Sequence, residues 1–284
     1  MTLAHLLVPR SAVWSAWHPD PIAIAVAAAA VSLYASGLNA TGVRAVSRAR
    51  AACFAGGVGI AVLATISPLH AAADATFTSH MAQHMLFMFV AAPLIVAGRP
   101  ALVIALALPF GIRRRGWRLA ASRPVAILPR VARNPLTIFV VYAATVWLWH
   151  LPGPYQTAVR SDVVHALEHA TFLGTSVAFW GAVARTGPRR RVGYLPSMLL
   201  VVGTMMQSTW LAAVLTFGGS AYPIYAALAP SWGVDALADQ QMAGSIMWIV
   251  PAIAYFAVLG VLFTRWMREL DARHARTPAA VETS

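Results

Sequence analysis

The sequence is poor in charge and poorer still in thiols. Only 11% of its 284 residues are Asp, Glu, Lys or Arg, against 59% hydrophobic ones. A water-soluble chain of this length could not cover its surface with so few charges. A soluble globular fold is therefore excluded, and an integral membrane protein is indicated. Lysine is absent, so all 21 basic residues are arginines. The one cysteine, Cys53, lies inside an apolar segment. Paired-cysteine copper motifs, zinc ribbons and disulfide frameworks are thereby ruled out, and Cys53 reads as a small buried apolar side chain. Residues 1–20 also lack the charged start, apolar stretch and small-residue cleavage site of a secretory signal. The first apolar run is expected to be a retained span, with 1–20 as an extracytoplasmic segment.

What is present is a series of apolar runs of the length a helix needs to cross a bilayer, about 17–25 residues. Seven are expected, at 21–38, 51–69, 77–97, 135–151, 163–184, 195–217 and 241–263. The fold class is thus all-α, a polytopic bundle over 21–265 followed by a polar cytoplasmic tail, 266–284. An eighth apolar piece, 101–109, is too short to span. With Arg113, Arg114, Arg115 and Arg118 behind it, it reads as an interfacial or re-entrant segment. Pro93, Pro196 and Pro251 fall within or at the ends of spans, which membrane helices tolerate when neighbours satisfy the freed carbonyl. Asn134-Pro135 reads as the capped start of the fourth span.

Arginine distribution orients the chain. With seven spans, 19 of the 21 arginines fall on one side, leaving only Arg10 and Arg160 opposite. The positive-inside rule then places the N-terminus outside and the C-terminus in the cytoplasm. A net charge of +12 on a soluble protein would suggest nucleic acid. Here the arginines lie between spans, and contact with anionic lipid is the expected role of the basic loop.

This orientation brings the polar residues together. His80 and His84 begin the third span, His150 ends the fourth, and His165, Glu168 and His169 occupy the first turns of the fifth. Asp239, Gln240 and Met242 begin the seventh, while Met205, Met206 and Trp210 lie in the outer half of the sixth. Five of nine histidines thus converge at one depth near the outer face, and His70 is placed to join them. The pairs His80/His84 and His165/His169 each set two imidazoles on one helical face, a bidentate arrangement familiar from helical metal sites. Glu168 adjoins one pair as a ligand, an acceptor that orients an imidazole, or a proton carrier. A single histidine at a helix end ordinarily bonds headgroups or carbonyls. Five on three helices at one level point to a function, because ionisable groups in a membrane are costly. Methionine within spans is ordinary packing. Met85 and Met88 gain meaning from sharing a helix end with His80 and His84, since thioether with imidazole suits Cu(I).

At these residues the sequence resembles the CtaG-type, caa-type cytochrome c oxidase assembly factors, a seven-span bacterial membrane family. The resemblance is carried by His80-Met81-Ala82-Gln83-His84-Met85-Leu86, Ala92-Pro93-Leu94, Gly98-Arg99-Pro100 and Asn134-Pro135, then by 147–150, His165-Ala166-Leu167-Glu168-His169 and Asp239-Gln240-Gln241-Met242-Ala243-Gly244. It implies a multi-pass protein of the bacterial cell membrane that matures the oxidase, with copper delivery as the usual proposal. The partner would be an oxidase subunit or another copper-handling protein, with membrane lipid around it and no nucleic acid.

The reading that joins both lines is a non-enzymatic assembly factor holding copper, as Cu(I), through His80, His84, His150, His165 and His169. Met85 and Glu168 would be auxiliary ligands, with Asp239 and Gln240 supporting them. Three alternatives stay open at this stage. One is a membrane hydrolase with catalytic zinc, which needs an open coordination position and a lipid-sized cleft. The others are a b-type haem protein with axial histidines and a metal-free partner of the oxidase.

Overall fold

A computed structural model describes residues 8–41, 46–121, 131–187 and 192–275. The architecture is all-α. Among the described residues the nearest thing to a strand is one bridge between Thr186 and Val192. In chain order the helices are α1 (Pro21–Thr41), α2 (Arg48–Ile66), α3 (Pro68–Ala75), α4 (Phe77–Ala97), α5 (Pro100–Ala107), α6 (Phe110–Ala121), α7 (Pro135–His150), α8 (Pro152–Arg160), α9 (Asp162–Ala184), α10 (Tyr194–Phe217), α11 (Pro223–Leu228) and α12 (Ala236–His274).

Each of the seven expected spans is helical, with proline setting several boundaries. The second span ends at Ile66, because Ser67 is extended and Pro68 starts α3. The fourth ends at His150, where Leu151 precedes Pro152 and is likewise extended; α8 then departs at 73°. The seventh is far longer than expected. The 39-residue α12 runs on to His274, where Arg273 and Glu269 pair one turn apart. The tail at 266–284 therefore begins as helix, and 276–284 lies outside the described residues. Five helices are long and apolar enough to cross a membrane: α1, α2, α4, α10 and α12. The bent pair α7 and α8 makes a sixth when taken as one span. The 23-residue α9 is not among them, and it carries Asp162, His165, Glu168 and His169 in its first turns.

The short apolar piece after Arg99 is α5, which packs its buried Val103 with Tyr34 and Phe54 of the first two helices. Arg113, Arg114, Arg115 and Arg118 of the expected loop lie on a further helix, α6, and Arg123 and Arg130 lie outside the described residues.

The bundle turns many apolar side chains outward and holds a buried polar cluster within its largely apolar core. Leu199, Ile253 and Phe256 are more than 60% exposed, whereas His80, Gln83, His84 and Glu168 are at most 1% exposed. That inversion is what a lipid-facing surface dictates, and the chain is a multi-pass membrane protein. Close helix approach relies on small residues: a Cβ on Gly57 would lie 2.8 Å from both Ala91 O and Ile95 N, so α2 and α4 touch backbone to backbone there.

That contact falls where α4 changes register. Leu86–Ala91 is a π turn inserted between α-helical halves. Pro93 is its cause. In the π pattern the Met88 carbonyl would look to residue 93 for an N–H, and proline has none. The indole of Trp180 on α9 supplies it, donating Nε1–H to Met88 O at 2.7 Å. A neighbouring helix thus satisfies the freed carbonyl, as membrane proline requires.

Candidate metal centre

Two helix starts build the centre. The first turn of α4 is fixed from a distance by Asp239 of α12, whose carboxylate accepts Phe77 N–H at 2.6 Å and Thr78 N–H at 3.1 Å. The Thr78 hydroxyl donates back to Asp239 O at 3.0 Å. An anion on exposed amides at a helix N-terminus is a strong cap. The next two turns of α4 present His80 and His84. Facing them, the first turns of α9 present His165, Glu168 and His169.

Glu168 is the hub. His80 Nε2 lies 3.8 Å and His165 Nε2 4.0 Å from Oε2, and His84 Nε2 lies 3.9 Å from Oε1. One donor atom from each of these four residues lies within 4.8 Å of all the others. Bonds of about 2.0–2.1 Å to a tetrahedral ion put neighbouring ligand atoms about 3.3 Å apart. Side-chain movements of up to about 0.8 Å close the set onto one ion. The donor chemistry also fits. His80 Nε2, both nitrogens of His84, His165 Nε2, His169 Nε2 and both oxygens of Glu168 are buried without a hydrogen-bond partner. Each such group costs about 1–3 kcal/mol, so their concentration here makes a strong case for a cation that takes one atom from each of the four gathered residues.

Surrounding groups set the free nitrogens. Tyr225 of α11 donates its hydroxyl to Ala73 O at 2.9 Å, so it accepts from His80 Nδ1–H at 3.3 Å and from the Tyr155 hydroxyl at 2.9 Å. Burial holds the Tyr225 hydroxyl well above the usual tyrosine range, which keeps that donor in place. With its proton on Nδ1, His80 turns an unprotonated Nε2 to Glu168. Such support of the remote nitrogen is usual around metal-binding imidazoles. Gln83, fully buried between the two histidines, donates to Ala64 O and lies 3.3 Å from His70 Nδ1.

Not every expected residue is brought into the group. His169 stands beside it, its ring 4.2 Å from that of His165 and 5.4 Å from that of His84. His70 joins from α3, stacked on His165 at 5.5 Å. His150 lies apart from the Glu168 hub, with Nδ1 on Val146 O at 2.7 Å and Nε2 3.4 Å from Met81 Sδ. Met85 lines the same apolar pocket as His150 rather than the carboxylate hub. Asp239, expected beside the ion, has both oxygens committed to the α4 cap. Gln240 bonds Ala221, Leu215 and Gly219 and so pins the turn after α10. Met206, Trp210 and Met242 face outward, each more than half exposed, and Met205 packs at the edge of the core. Sequence reasoning missed Tyr155, Tyr225 and Gln83. The tyrosines sit on short helices between spans, a region read as loop, and Gln83 gives no signal beyond its place between two histidines.

A cavity of about 550 Å³ reaches the group from the bundle's end. His165 and His169 form its floor, and His18, Asp20, His70, Asp74 and Asp162 its walls. Burial lowers the His70 imidazole to about 4 and raises the Asp74 carboxyl to about 7, so both favour their neutral forms. This mouth mixes imidazoles and carboxyl groups with apolar residues such as Pro21, Ile22 and Val163.

The family described as the cytochrome c oxidase caa3 assembly factor matches residues 14–269. Curated relatives include an uncharacterized protein of Mycobacterium bovis and another of Mycobacterium tuberculosis. Each is 26% identical over 213 residues, which cover 72% of this chain and 32% of the relative. A Mycobacterium leprae protein is 26% identical over 206 residues, 69% of this chain and 31% of its own. The chain thus spans about a third of the length of these relatives. No solved structure matches it significantly. The match over residues 14–269 takes in every helix that builds the centre, and the chain belongs to the cytochrome c oxidase caa3 assembly factor family.

Proposed function

We propose that this protein binds copper at the His80, His84, His165 and Glu168 centre, with His169 beside it, and passes the ion to the oxidase during assembly. The observation that carries this reading is the gathering of the buried, partnerless Nε2 atoms of His80, His84 and His165 on the partnerless carboxylate of Glu168. Family membership supplies the destination. In the orientation read from the arginines, with seven spans and the N-terminus outside, the cavity over His165 and His169 opens extracytoplasmically. Copper arriving there meets carboxylates and imidazoles first, then the enclosed centre. Neutral imidazoles and a single carboxylate hold an ion by few and exchangeable bonds, so a partner's imidazoles can replace them in turn. Protonating the histidines opposes binding, and acid should release the ion.

One feature counts against a zinc hydrolase: the four donors already complete a tetrahedral set, whereas catalytic zinc keeps a position open. A haem reading fares worse, since a haem takes one axial imidazole on each face, whereas three imidazoles here gather on one carboxylate.

The test is made in the source bacterium. A strain lacking this protein, complemented with wild type or His84→Ala, is grown at limiting copper, and copper per haem is measured in its oxidase. The expected outcome is restoration by wild type and copper-deficient oxidase with His84→Ala. Full oxidase copper with the variant would refute delivery through this centre.

A further inference from the structure

Behind His84, away from the cavity mouth, lies a small chamber of about 20 Å³. Four of the ten methionines border it: Met81, Met85 and Met88 from α4 and Met247 from α12, together with His84 and His150. Thioethers are ordinary packing in a bundle core, so their number alone decides nothing. The position of His150 does. Its Nδ1 is 2.7 Å from the Val146 carbonyl, which can only accept, so Nδ1 carries the proton. In the neutral imidazole Nε2 is then an unprotonated lone pair. It faces the Met81 sulfur, also a lone-pair donor, at 3.4 Å. Two acceptors pointed at each other in a dry interior make no hydrogen bond. They do match the separation, about 3.5 Å, of a nitrogen and a sulfur on one ion with bonds near 2.0 and 2.3 Å.

We propose that this chamber is a second metal site, selective for a soft monovalent cation, Cu(I), held by His150 Nε2 and Met81 Sδ with further thioethers from Met85, Met88 and Met247. Imidazole with thioether selects Cu(I) over zinc, magnesium or calcium. The chamber volume admits one atom-sized guest, as a single water needs about 10–15 Å³. His84 stands between the two sites. Its Nε2 faces Glu168, its Nδ1 has no partner, and its ring borders the chamber. A neutral imidazole offers one of these nitrogens at a time, so as an ion passes from the carboxylate centre to the thioether chamber around that ring, the ring proton moves from Nδ1 to Nε2. The exchange rests on the copper reading of the first centre. The chamber as a Cu(I) site does not.

The experiment loads the full-length, detergent-purified protein with Cu(I) under reducing, oxygen-free conditions. Bound copper is counted by chelator competition and its neighbours are read by X-ray absorption at the copper edge. Wild type is expected to hold two equivalents, with sulfur scattering near 2.3 Å alongside nitrogen and oxygen. The double variant Met81→Leu/Met247→Leu keeps side-chain volume and should lose one equivalent and the sulfur signal. Glu168→Gln should weaken the other site and leave the sulfur signal intact. A wild-type spectrum with nitrogen and oxygen neighbours alone would overturn the proposal without any variant, the chamber then holding water or nothing. Sulfur scattering unchanged in the double variant, or lost in Glu168→Gln, would overturn it too. Full oxidase copper in cells carrying His84→Ala, with the sulfur signal intact in the purified wild type, would instead count against the proposed function alone.

Discussion

Glu168→Gln separates a metal centre from a structural hydrogen-bond cluster, because the two roles predict opposite effects. In the metal-bound protein the carboxylate is the negative charge among the four gathered donors, with imidazole nitrogens 3.8–4.0 Å away on three sides. A cation held by those nitrogens lies within about 4 Å of it. At an effective dielectric constant near 20, unit charges at about 4 Å attract by about 4 kcal/mol. Glutamine keeps the shape and removes the charge, so Cu(I) affinity should fall by about a hundred- to a thousandfold, as each 1.4 kcal/mol is about a factor of ten. In the metal-free protein the sign reverses. A buried carboxylate without hydrogen-bond partners is destabilising, and the neutral amide should raise the thermal midpoint in detergent. Chelator-competition titration and thermal unfolding of the same preparations give both numbers. Unchanged affinity together with a lower metal-free midpoint would make Glu168 a structural residue and refute the argument.

Three further substitutions probe the scaffold. Trp180→Phe removes the indole donor that satisfies Met88 O beside Pro93, and about 1–3 kcal/mol of stability should go with it; no change in the denaturation midpoint would mean that the π turn does not depend on that bond. Asp239→Asn weakens the two charge-assisted bonds at the start of α4, which are worth about 1.5–3 kcal/mol each. It should lower stability and loosen copper binding through misplacement of His80 and His84, and a variant with wild-type affinity would show that the cap does not position them. Asp74→Asn tests pH dependence. Burial raises the Asp74 carboxyl from 3.8 to about 7 in the fold, so the folded state keeps this proton longer than the unfolded chain. Its contribution to stability is fully present below about pH 4 and is lost as pH rises through 7, up to roughly 4 kcal/mol. Thermal midpoints measured from pH 5 to 8 should fall less steeply in the variant, and superimposable profiles would contradict the assignment.

The sequence shows most of the scaffold because bilayer length and arginine placement are strong constraints. All seven expected segments are helical, and His80, His84 and His165 come together with Glu168. What it does not show are features set by tertiary contacts. The i, i+4 rule puts His165 and His169 on one face, yet it is the i, i+3 pair His165 and Glu168 that meets His80 and His84, because the packing angle of α4 on α9 decides which edge of that face is inward. Asp239 looks like another ligand by type and depth. Only the approach of the α12 start to the α4 start reveals that its oxygens belong to Phe77 and Thr78. The methionines carry no periodic signal that distinguishes a chamber wall from core packing. Met206 and Met242 face outward while Met81 and Met247 border the chamber. Tyr225 acts from a helix too short to be read from composition.

The most direct test of the central claim is elemental analysis of the purified protein after growth with both copper and zinc, with His84→Ala prepared in parallel. The account predicts at least one equivalent of copper per chain in the wild type and its loss in the folded variant. Zinc in place of copper, or equal copper in both proteins, would contradict it.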